Sequence, residues 1–182
     1  MFDRSPAWRI FCTRSRAEKR VEESLERRAV EVFLPKCAEV HQWKDRKKQV
    51  ILPLFPGYIF AHVNERERLD VLTVDGVVRT LTMDGQLCAL SQDEIEQLRI
   101  LQQDPYRVEA VAISQIPEKG THVTINRGAL SGLSGEVRNH RGLTHVVIVV
   151  EAIKQAVRVI VPAEWIEETK ASDYLYIRTY RQ

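Results

Sequence analysis

Cysteine is scarce in this sequence, with 3 residues among 182. Cys12, Cys37 and Cys88 are far apart, form no C-x-x-C pair and have no histidine at ligand spacing. Structural zinc sites need closely patterned ligands, and disulfide frameworks need an even set of cysteines. The sequence therefore predicts no metal, no cofactor and no disulfide framework.

Long apolar runs are absent as well. No stretch approaches the roughly 20 apolar residues that are needed to cross a bilayer. Residues 1–6 contain no apolar signal core. We therefore expect a cytoplasmic protein without membrane contact, long enough to bury one core or two small ones.

The common catalytic motifs are also lacking. The chain contains no glycine-rich phosphate loop and no nucleophile elbow, and its five histidines have no carboxylate or nucleophile at motif spacing. Scattered histidines of this kind are mostly surface or core residues. Of the function classes considered, an enzyme is the least favoured, and the chain is predicted to be non-enzymatic.

The charge that is present lies unevenly along the chain. Residues 1–60 hold 13 Lys and Arg against 8 Asp and Glu, whereas residues 61–182 hold 14 against 17. A basic first third is compatible with a polyanionic partner, although ordinary solvated surface also shows such differences. Arg14 and Arg16 are the sharper candidates because they lie where a predicted strand turns into a helix, beside N–H groups that favour anions.

The stretch Pro53–Phe60 combines two prolines, a glycine and three aromatic residues. Its prolines exclude a helix, Gly57 permits a turn, and Tyr58–Val63 is rich in bulky and β-branched residues that favour a strand. Side chains two apart in a strand share a face, so Tyr58 and Phe60 form an aromatic pair. Two interpretations stay open: a buried core strand, or an aromatic patch that binds a partner.

The order of the predicted elements indicates an α+β fold in which helices cover an antiparallel sheet. Capping boxes at Ser15–Glu18 and Ser91–Glu94 predict the starts of two helices. The buried stripe of the first helix is predicted to comprise Ala17, Val21 and Leu25.

From Ile116 onward, short strands at about ten-residue spacing with glycine turns predict a small β-barrel. The predicted domains are residues 1–103, a linker at 104–115, the barrel at 116–168 and a tail at 169–182.

Both halves together resemble the NusG family of transcription factors. Trp8, the helix at Glu18, Phe33-Leu34-Pro35, the stretch Pro53–Phe60 and Gly76-Val77 resemble its N-terminal domain, whereas Lys119–Val137 resembles a KOW module. The Pro-Leu-Phe-Pro-Gly-Tyr motif is the specific part, since ribosomal proteins also carry KOW segments.

The resemblance implies a transcription elongation factor that binds RNA polymerase. Phe55, Tyr58 and Phe60 would contact the clamp helices of the largest subunit and suppress pausing. Basic residues would face upstream DNA and the non-template strand, and they comprise Arg14, Arg16, Arg20, Arg66 and Arg68. Acidic neighbours on the same helix offer the alternative that Arg66 and Arg68 form ordinary helix ion pairs.

One departure from the family pattern concerns Leu130–Gly135, which is aliphatic where NusG proteins in general present an aromatic residue to termination or ribosomal partners. The chain is therefore more similar to the specialised RfaH-like and polysaccharide-operon antiterminators, which act on chosen operons. The β-branched segments 146–150 and 157–161 predict that the barrel is stable as strands. The alternative function is a KOW-containing, ribosome-associated protein that binds RNA, although the acidic balance of residues 61–182 disfavours it.

Overall fold

The computed structural model describes residues 5–42, 47–104, 108–112, 120–140 and 143–169. Within these ranges the chain packs as two compact units. The first unit takes in residues 5–35 and 55–92, and the second takes in the described residues from 36 to 54 and from 93 onward. The domain boundaries expected from the sequence stay a prediction.

Strands and three helices follow one another along the described chain. Their bounds, in order, are β1 (Ala7–Thr13), α1 (Glu18–Glu26), β2 (Glu31–Phe33), β3 (Lys36–Gln42), β4 (Lys47–Pro53), β5 (Tyr58–Val63), α2 (Glu65–Leu72), β6 (Val77–Thr80), β7 (Thr82–Met83), β8 (Gln86–Leu87), β9 (Ala89–Leu90), α3 (Gln92–Leu101), β10 (Val108–Ala112), β11 (His122–Ile125), β12 (Ser134–His140), β13 (Leu143–Val150), β14 (Gln155–Ile160) and β15 (Ile166–Glu168). Two short 3-10 helices, Glu151–Ile153 and Ala163–Trp165, flank β14. These antiparallel sheets and helices fit the predicted α+β class.

The first unit is built on an antiparallel sheet in the order β2-β5-β1-β6, with β9 also paired to β1. In the register between β1 and β5, Phe11 lies opposite Ile59 and Cys12 lies opposite Tyr58. Because successive side chains in a strand point to opposite faces, these two pairs lie on different faces of the sheet.

Helix α1 covers the face that carries Phe11 and Ile59. Ala17, Val21 and Leu25 are buried in the same hydrophobic cluster as these two residues. Burial of each large side chain of this kind contributes about 1.5–3 kcal/mol. The predicted stripe of the first helix is therefore confirmed, and it fixes α1 on the sheet.

The start of α1 differs from the predicted capping box at Ser15–Glu18. The N-cap residue is Ala17, which makes no side-chain capping hydrogen bond. Arg16 just before it adopts a left-handed φ of 62°. The capping-box prediction is wrong because the Glu18 carboxylate accepts a hydrogen bond from Gly57 instead.

The second unit contains a six-stranded antiparallel sheet in the order β10-β14-β13-β12-β11-β15. The strands predicted at 121–125, 136–138, 145–150 and 156–161 are confirmed, with small shifts at their ends. Among the described residues the pairing runs in an open order, without a strand pair that closes it into the predicted barrel.

Strand β10 lies inside the segment 104–115, which the sequence predicts to be a linker. Val108 and Val111 are buried, and Val108 lies opposite Val159 of β14. The strand is too short to show a periodic pattern, and its partner lies far along the chain, so local reasoning misses it. The unassigned tail, from residue 170, lies outside the described residues.

Helix α3 joins β3 to the six-stranded sheet through two glutamines. Gln102 accepts a hydrogen bond from the N–H of Lys36 and donates one to its carbonyl oxygen, both at 2.9 Å. Gln97 accepts from the N–H of Ser134 at 2.9 Å and donates to the carbonyl oxygen of Gly132 at 3.3 Å. Each side-chain amide thus satisfies backbone groups as a neighbouring strand would.

Two glycines of the first unit give a matched test of its packing. Gly76 has φ 98°, and a Cβ there would lie 2.9 Å from Cγ2 of Val21 and 3.0 Å from Cβ of Ala17. Gly85 has φ 79° but no atom within 4 Å of such a Cβ. Both substitutions to alanine strain the backbone by about 1–2 kcal/mol, and only Gly76→Ala adds about 1–3 kcal/mol of overpacking.

Urea unfolding of the two variants measures this difference. We expect Gly76→Ala to lower the free energy of unfolding by clearly more than Gly85→Ala. Equal losses would contradict the close approach of α1 to Gly76.

Candidate functional site

A tight turn at Phe55–Tyr58 is the centre of the candidate site. The N–H of Tyr58 donates to the carbonyl oxygen of Phe55 at 3.1 Å, and Gly57 has φ 85°. A type II turn favours proline in its second position and needs a positive φ in its third. Pro56-Gly57 fits both requirements, so the predicted turn is confirmed.

Two hydrogen bonds hold this turn against the corner between β1 and α1. The carbonyl oxygen of Gly57 accepts from the N–H of Thr13 at 2.8 Å. The N–H of Gly57 donates to Oε1 of Glu18 at 2.7 Å, and Glu18 is only 3% exposed. Because a hydrogen bond to a buried carboxylate is short and strong, we treat residues 13–18 and the turn as one rigid element, the pinned corner.

Three predicted nucleic-acid contacts lie on or beside the pinned corner. Arg14, Arg16 and Arg20 are all exposed. Nη1 of Arg14 lies 3.3 Å from Oδ1 of Asp75, and Nη2 of Arg20 lies 3.0 Å from Oδ2 of the same carboxylate. Exposed pairs contribute about 1 kcal/mol at most, so Asp75 orients these two guanidinium groups and leaves them accessible.

Two members of the predicted aromatic patch belong to the core. Phe55 is 1% exposed and Phe60 is 0% exposed. Their rings meet edge to face with centroids 6.3 Å apart, and Phe60 also contacts Phe33. For Phe55 and Phe60 the buried-strand interpretation describes the structure. Because Phe55 is the first residue of the turn, the packing of these two rings anchors the turn on the core.

Tyr58 is the half-buried member of the motif. It lies opposite Cys12 on β1, and Cys12 in turn lies opposite the exposed Arg79 on β6. Burial raises the pKa of the Tyr58 hydroxyl, and Cys12 adds to this rise while Arg79 opposes it. The hydroxyl is therefore neutral at physiological pH. Tyr58, Cys12 and Arg79 form a row across three neighbouring strands.

Helix α2 carries the other two predicted basic residues in different settings. Its start is fixed by a capping box that the sequence analysis missed, in which Asn64 accepts from the N–H of Glu67 and the Glu67 carboxylate accepts from the N–H of Asn64. Arg66 is exposed. Arg68 has a side chain that is only 14% exposed and is held by Glu65.

The contacts of Arg68 are structural. Its Nε donates to Oε2 of Glu65 at 2.8 Å and its Nη2 to Oε1 at 2.5 Å. Its Nη1 also donates to Oγ1 of Thr80 on β6 at 3.1 Å. These bonds fit the ion-pair alternative for Arg68, whereas Arg66 stays available for a partner.

Glu18, Asp75 and Arg79 are the parts of the site that sequence reasoning missed. The hydrogen-bond partner of Glu18, Gly57, lies 39 residues away in the sequence, so no local pattern predicts the bond. Asp75 did carry a signal, because an Asp-Gly pair marks a turn. Arg79 could be placed opposite Cys12 only from the register of β6 against β1.

Within the described residues the structure has no metal-binding cluster, no disulfide and no helix suited to span a membrane. The described residues contain no cluster of three or more His, Cys, Asp or Glu suited to a metal ion. All three cysteines are free thiols. No helix in the described ranges has the length and apolar character of a membrane span.

Comparison with known families gives this arrangement a context. Residues 6–99, more than half of the chain, match the sequence profile described as "Transcription termination factor nusG". The chain belongs to the NusG family, whose members are transcription elongation and antitermination factors that bind RNA polymerase.

A similar solved structure is that of NusG from Thermotoga maritima, described as "Domain interaction in Thermotoga maritima NusG". The TM-score is 0.52 at 19% identity, covering 91% of this chain and 98% of that chain. This likeness shows a NusG-like fold. A search of curated protein sequences finds no match.

The Glu65–Arg68 pair makes stability depend on pH. Hydrogen bonding from Arg68 lowers the pKa of the Glu65 carboxyl from its ordinary value. A carboxyl whose pKa is lower in the folded state stabilises above its unfolded pKa, about 4.3 for Glu, and loses this contribution as pH falls. Glu65→Gln should therefore lower the free energy of unfolding by about 1–2 kcal/mol at pH 7.

Chemical unfolding between pH 3 and pH 7 measures this effect. The difference between wild type and Glu65→Gln should stay constant above about pH 5.5 and shrink below about pH 4. Glu96→Gln is the control because it removes an exposed pair of the same spacing with Arg99, worth about 0.5 kcal/mol or less. A difference independent of pH would contradict the pairing.

Proposed function

We propose that this protein is a non-enzymatic transcription elongation and antitermination factor that acts on RNA polymerase in the cytoplasm. The observation that carries the proposal is the pinned corner, which holds Tyr58 and the exposed Arg14 and Arg16 on one element. Membership of the NusG family supports a polymerase partner.

The polymerase contact is proposed to be made by Tyr58, with Phe55 and Phe60 as its buried support. Tyr58 offers a large ring whose hydroxyl is not ionised, and its backbone is fixed by the turn. Rigid aromatic anchors of this kind dominate interface energies. The partner surface is proposed to be the clamp helices of the largest subunit, where closure of the clamp suppresses pausing.

The nucleic-acid contact is proposed to be made by Arg14, Arg16 and Arg20, with Arg66 as an outer member. Guanidinium groups pair with phosphate and hydrogen-bond to exposed bases. All four arginines are exposed, in contrast to Arg68. The proposed partner is the non-template DNA strand on the polymerase surface, which gives a factor of this kind a means to select operons.

Strands β11 to β15 of the second unit are proposed to belong to the KOW domain with a small β-barrel that the sequence predicts at residues 116–168. The predicted strands are present, and Ile148 of β13 lies opposite Val157 of β14. Leu130 and Leu133 of the β11–β12 segment are buried in the core and are not presented to a partner. This burial supports a specialised, RfaH-like factor, in which the termination or ribosomal contact of general NusG proteins is altered.

Replacing Tyr58 tests the polymerase contact. Tyr58→Ala should weaken binding to polymerase by about 30-fold, since loss of a central aromatic anchor costs about 2 kcal/mol or more. Tyr58→Phe keeps the ring and should bind within a few-fold of wild type. Phe60→Ala is unsuitable because emptying that core position costs about 3–5 kcal/mol of stability.

The affinity is measured with purified polymerase, and circular dichroism checks that each variant is folded. Ile160→Ala serves as the control because it removes an exposed apolar side chain from the second unit. Wild-type affinity in folded Tyr58→Ala would refute the proposed contact.

A double variant tests the nucleic-acid contact. Arg14→Ala with Arg16→Ala should weaken loading onto a stalled elongation complex and reduce its dependence on salt. Each lost phosphate contact lowers the slope of log affinity against log salt by roughly one. Lys19→Ala with Arg27→Ala is the control, because it removes the same charge from two exposed positions, one in α1 and one at its C-cap.

Loading is measured over a salt series with matched and scrambled non-template strands. The control variant should keep the wild-type preference and slope. Unchanged loading and slope in the Arg14 and Arg16 variant would remove these residues from the DNA-binding role.

A further inference from the structure

We infer that Glu18 is a positioning residue that selects the orientation of the Pro56-Gly57 peptide and thereby sets the polymerase-binding conformation of Tyr58. This inference rests on the proposed polymerase contact. It assigns a role to a buried carboxylate that neither a capping box nor the DNA contact explains.

The burial of Glu18 needs a reason. The residue is 3% exposed although it opens α1 at the edge of the exposed arginines. A buried carboxylate is costly unless hydrogen bonds satisfy it. Oε1 accepts from the N–H of Gly57 at 2.7 Å, and the N-terminal end of a helix further favours negative charge.

The direction of the Gly57 N–H distinguishes the two possible types of turn. Within a four-residue turn the hydrogen bond joins the first and fourth residues, here Phe55 and Tyr58. The N–H of the third residue is left for an outside partner. Glu18 supplies that partner.

The sequence Pro56-Gly57 is compatible with two turn types. Proline is favoured in the second position of type I and type II turns, and glycine fits the third position of both. The two types differ by a flip of the central peptide. In the flipped form the Pro56 carbonyl oxygen would point at the Glu18 carboxylate, and two hydrogen-bond acceptors would face each other without a donor between them.

Glu18 therefore holds a turn that would otherwise exchange between two states. The Thr13 N–H holds the carbonyl of Gly57, which belongs to the next peptide and does not rotate in the flip, so this bond does not choose between the two states. If a binding-competent turn is only fractionally populated, the apparent affinity falls by that fraction. Loss of the Glu18 carboxylate should thus weaken polymerase binding without removing any residue that touches the partner.

The experiment compares Glu18→Ala, Glu18→Gln and wild type in full-length protein. Glu18→Ala should bind polymerase about tenfold more weakly if the competent turn falls to about one part in ten. Glu18→Gln retains an oxygen that accepts from Gly57, but its NH2 group can also donate to the flipped Pro56 carbonyl, so its affinity should lie between those of Glu18→Ala and wild type. Glu23→Ala is the control because it removes an exposed acidic side chain of α1.

Amide hydrogen exchange gives a second readout that general loss of stability does not imitate. In Glu18→Ala the Gly57 amide should exchange at least about tenfold faster, while the amides of Val21 and Leu25 within α1 stay protected. Uniformly faster exchange across α1 would overturn the inference, because it would assign Glu18 a purely structural role.

The outcomes separate the inference from the proposed function. Wild-type affinity in folded Glu18→Ala overturns the inference when Tyr58→Ala loses binding. Wild-type affinity in Tyr58→Ala overturns the proposed contact, and exchange of the Gly57 amide still tests the role of Glu18.

If Glu18→Ala does not fold, Glu18→Asp replaces it, since the shorter carboxylate cannot reach Gly57. Wild-type Gly57 protection in that variant would also overturn the inference.

Discussion

The hydrogen bond from the Gly57 N–H to the buried Glu18 carboxylate is the contact on which the candidate site depends. It joins a turn in one part of the sequence to a helix start in another. Together with the bond from Thr13 to Gly57, it makes a single rigid element of the turn and the β1–α1 corner. An aromatic side chain and exposed cations are therefore presented in fixed relation, which is what the proposed simultaneous contact with polymerase and DNA requires.

Much of this architecture follows from local sequence patterns. Pro56-Gly57 dictates a turn because few other dipeptides meet the backbone angles it needs. The spacing of Ala17, Val21 and Leu25 fixes the buried face of α1, and alternation places Tyr58 and Phe60 on one face of β5. Such features are predictable because each is settled by residues that are neighbours in the chain.

The features that sequence reasoning missed or left open depend on partners that are distant in the chain. Phe60 is a core residue because Phe33 and Phe55 meet it, and strand alternation alone does not reveal which face is covered. The local sequence predicts that Glu18 is part of a capping box, and only the structure shows that it accepts a hydrogen bond from Gly57. Strand β10 is visible only through its pairing with β14. In each case tertiary contacts override a short-range pattern.

The central claim is that Tyr58, presented by the pinned corner, contacts RNA polymerase directly. The most direct test places a photoreactive p-benzoylphenylalanine at position 58 and irradiates the reconstituted elongation complex. We expect a cross-link to the clamp helices of the largest subunit and none from the same group at position 160. A complex that forms normally but cross-links from position 160 and not from position 58 would contradict the claim.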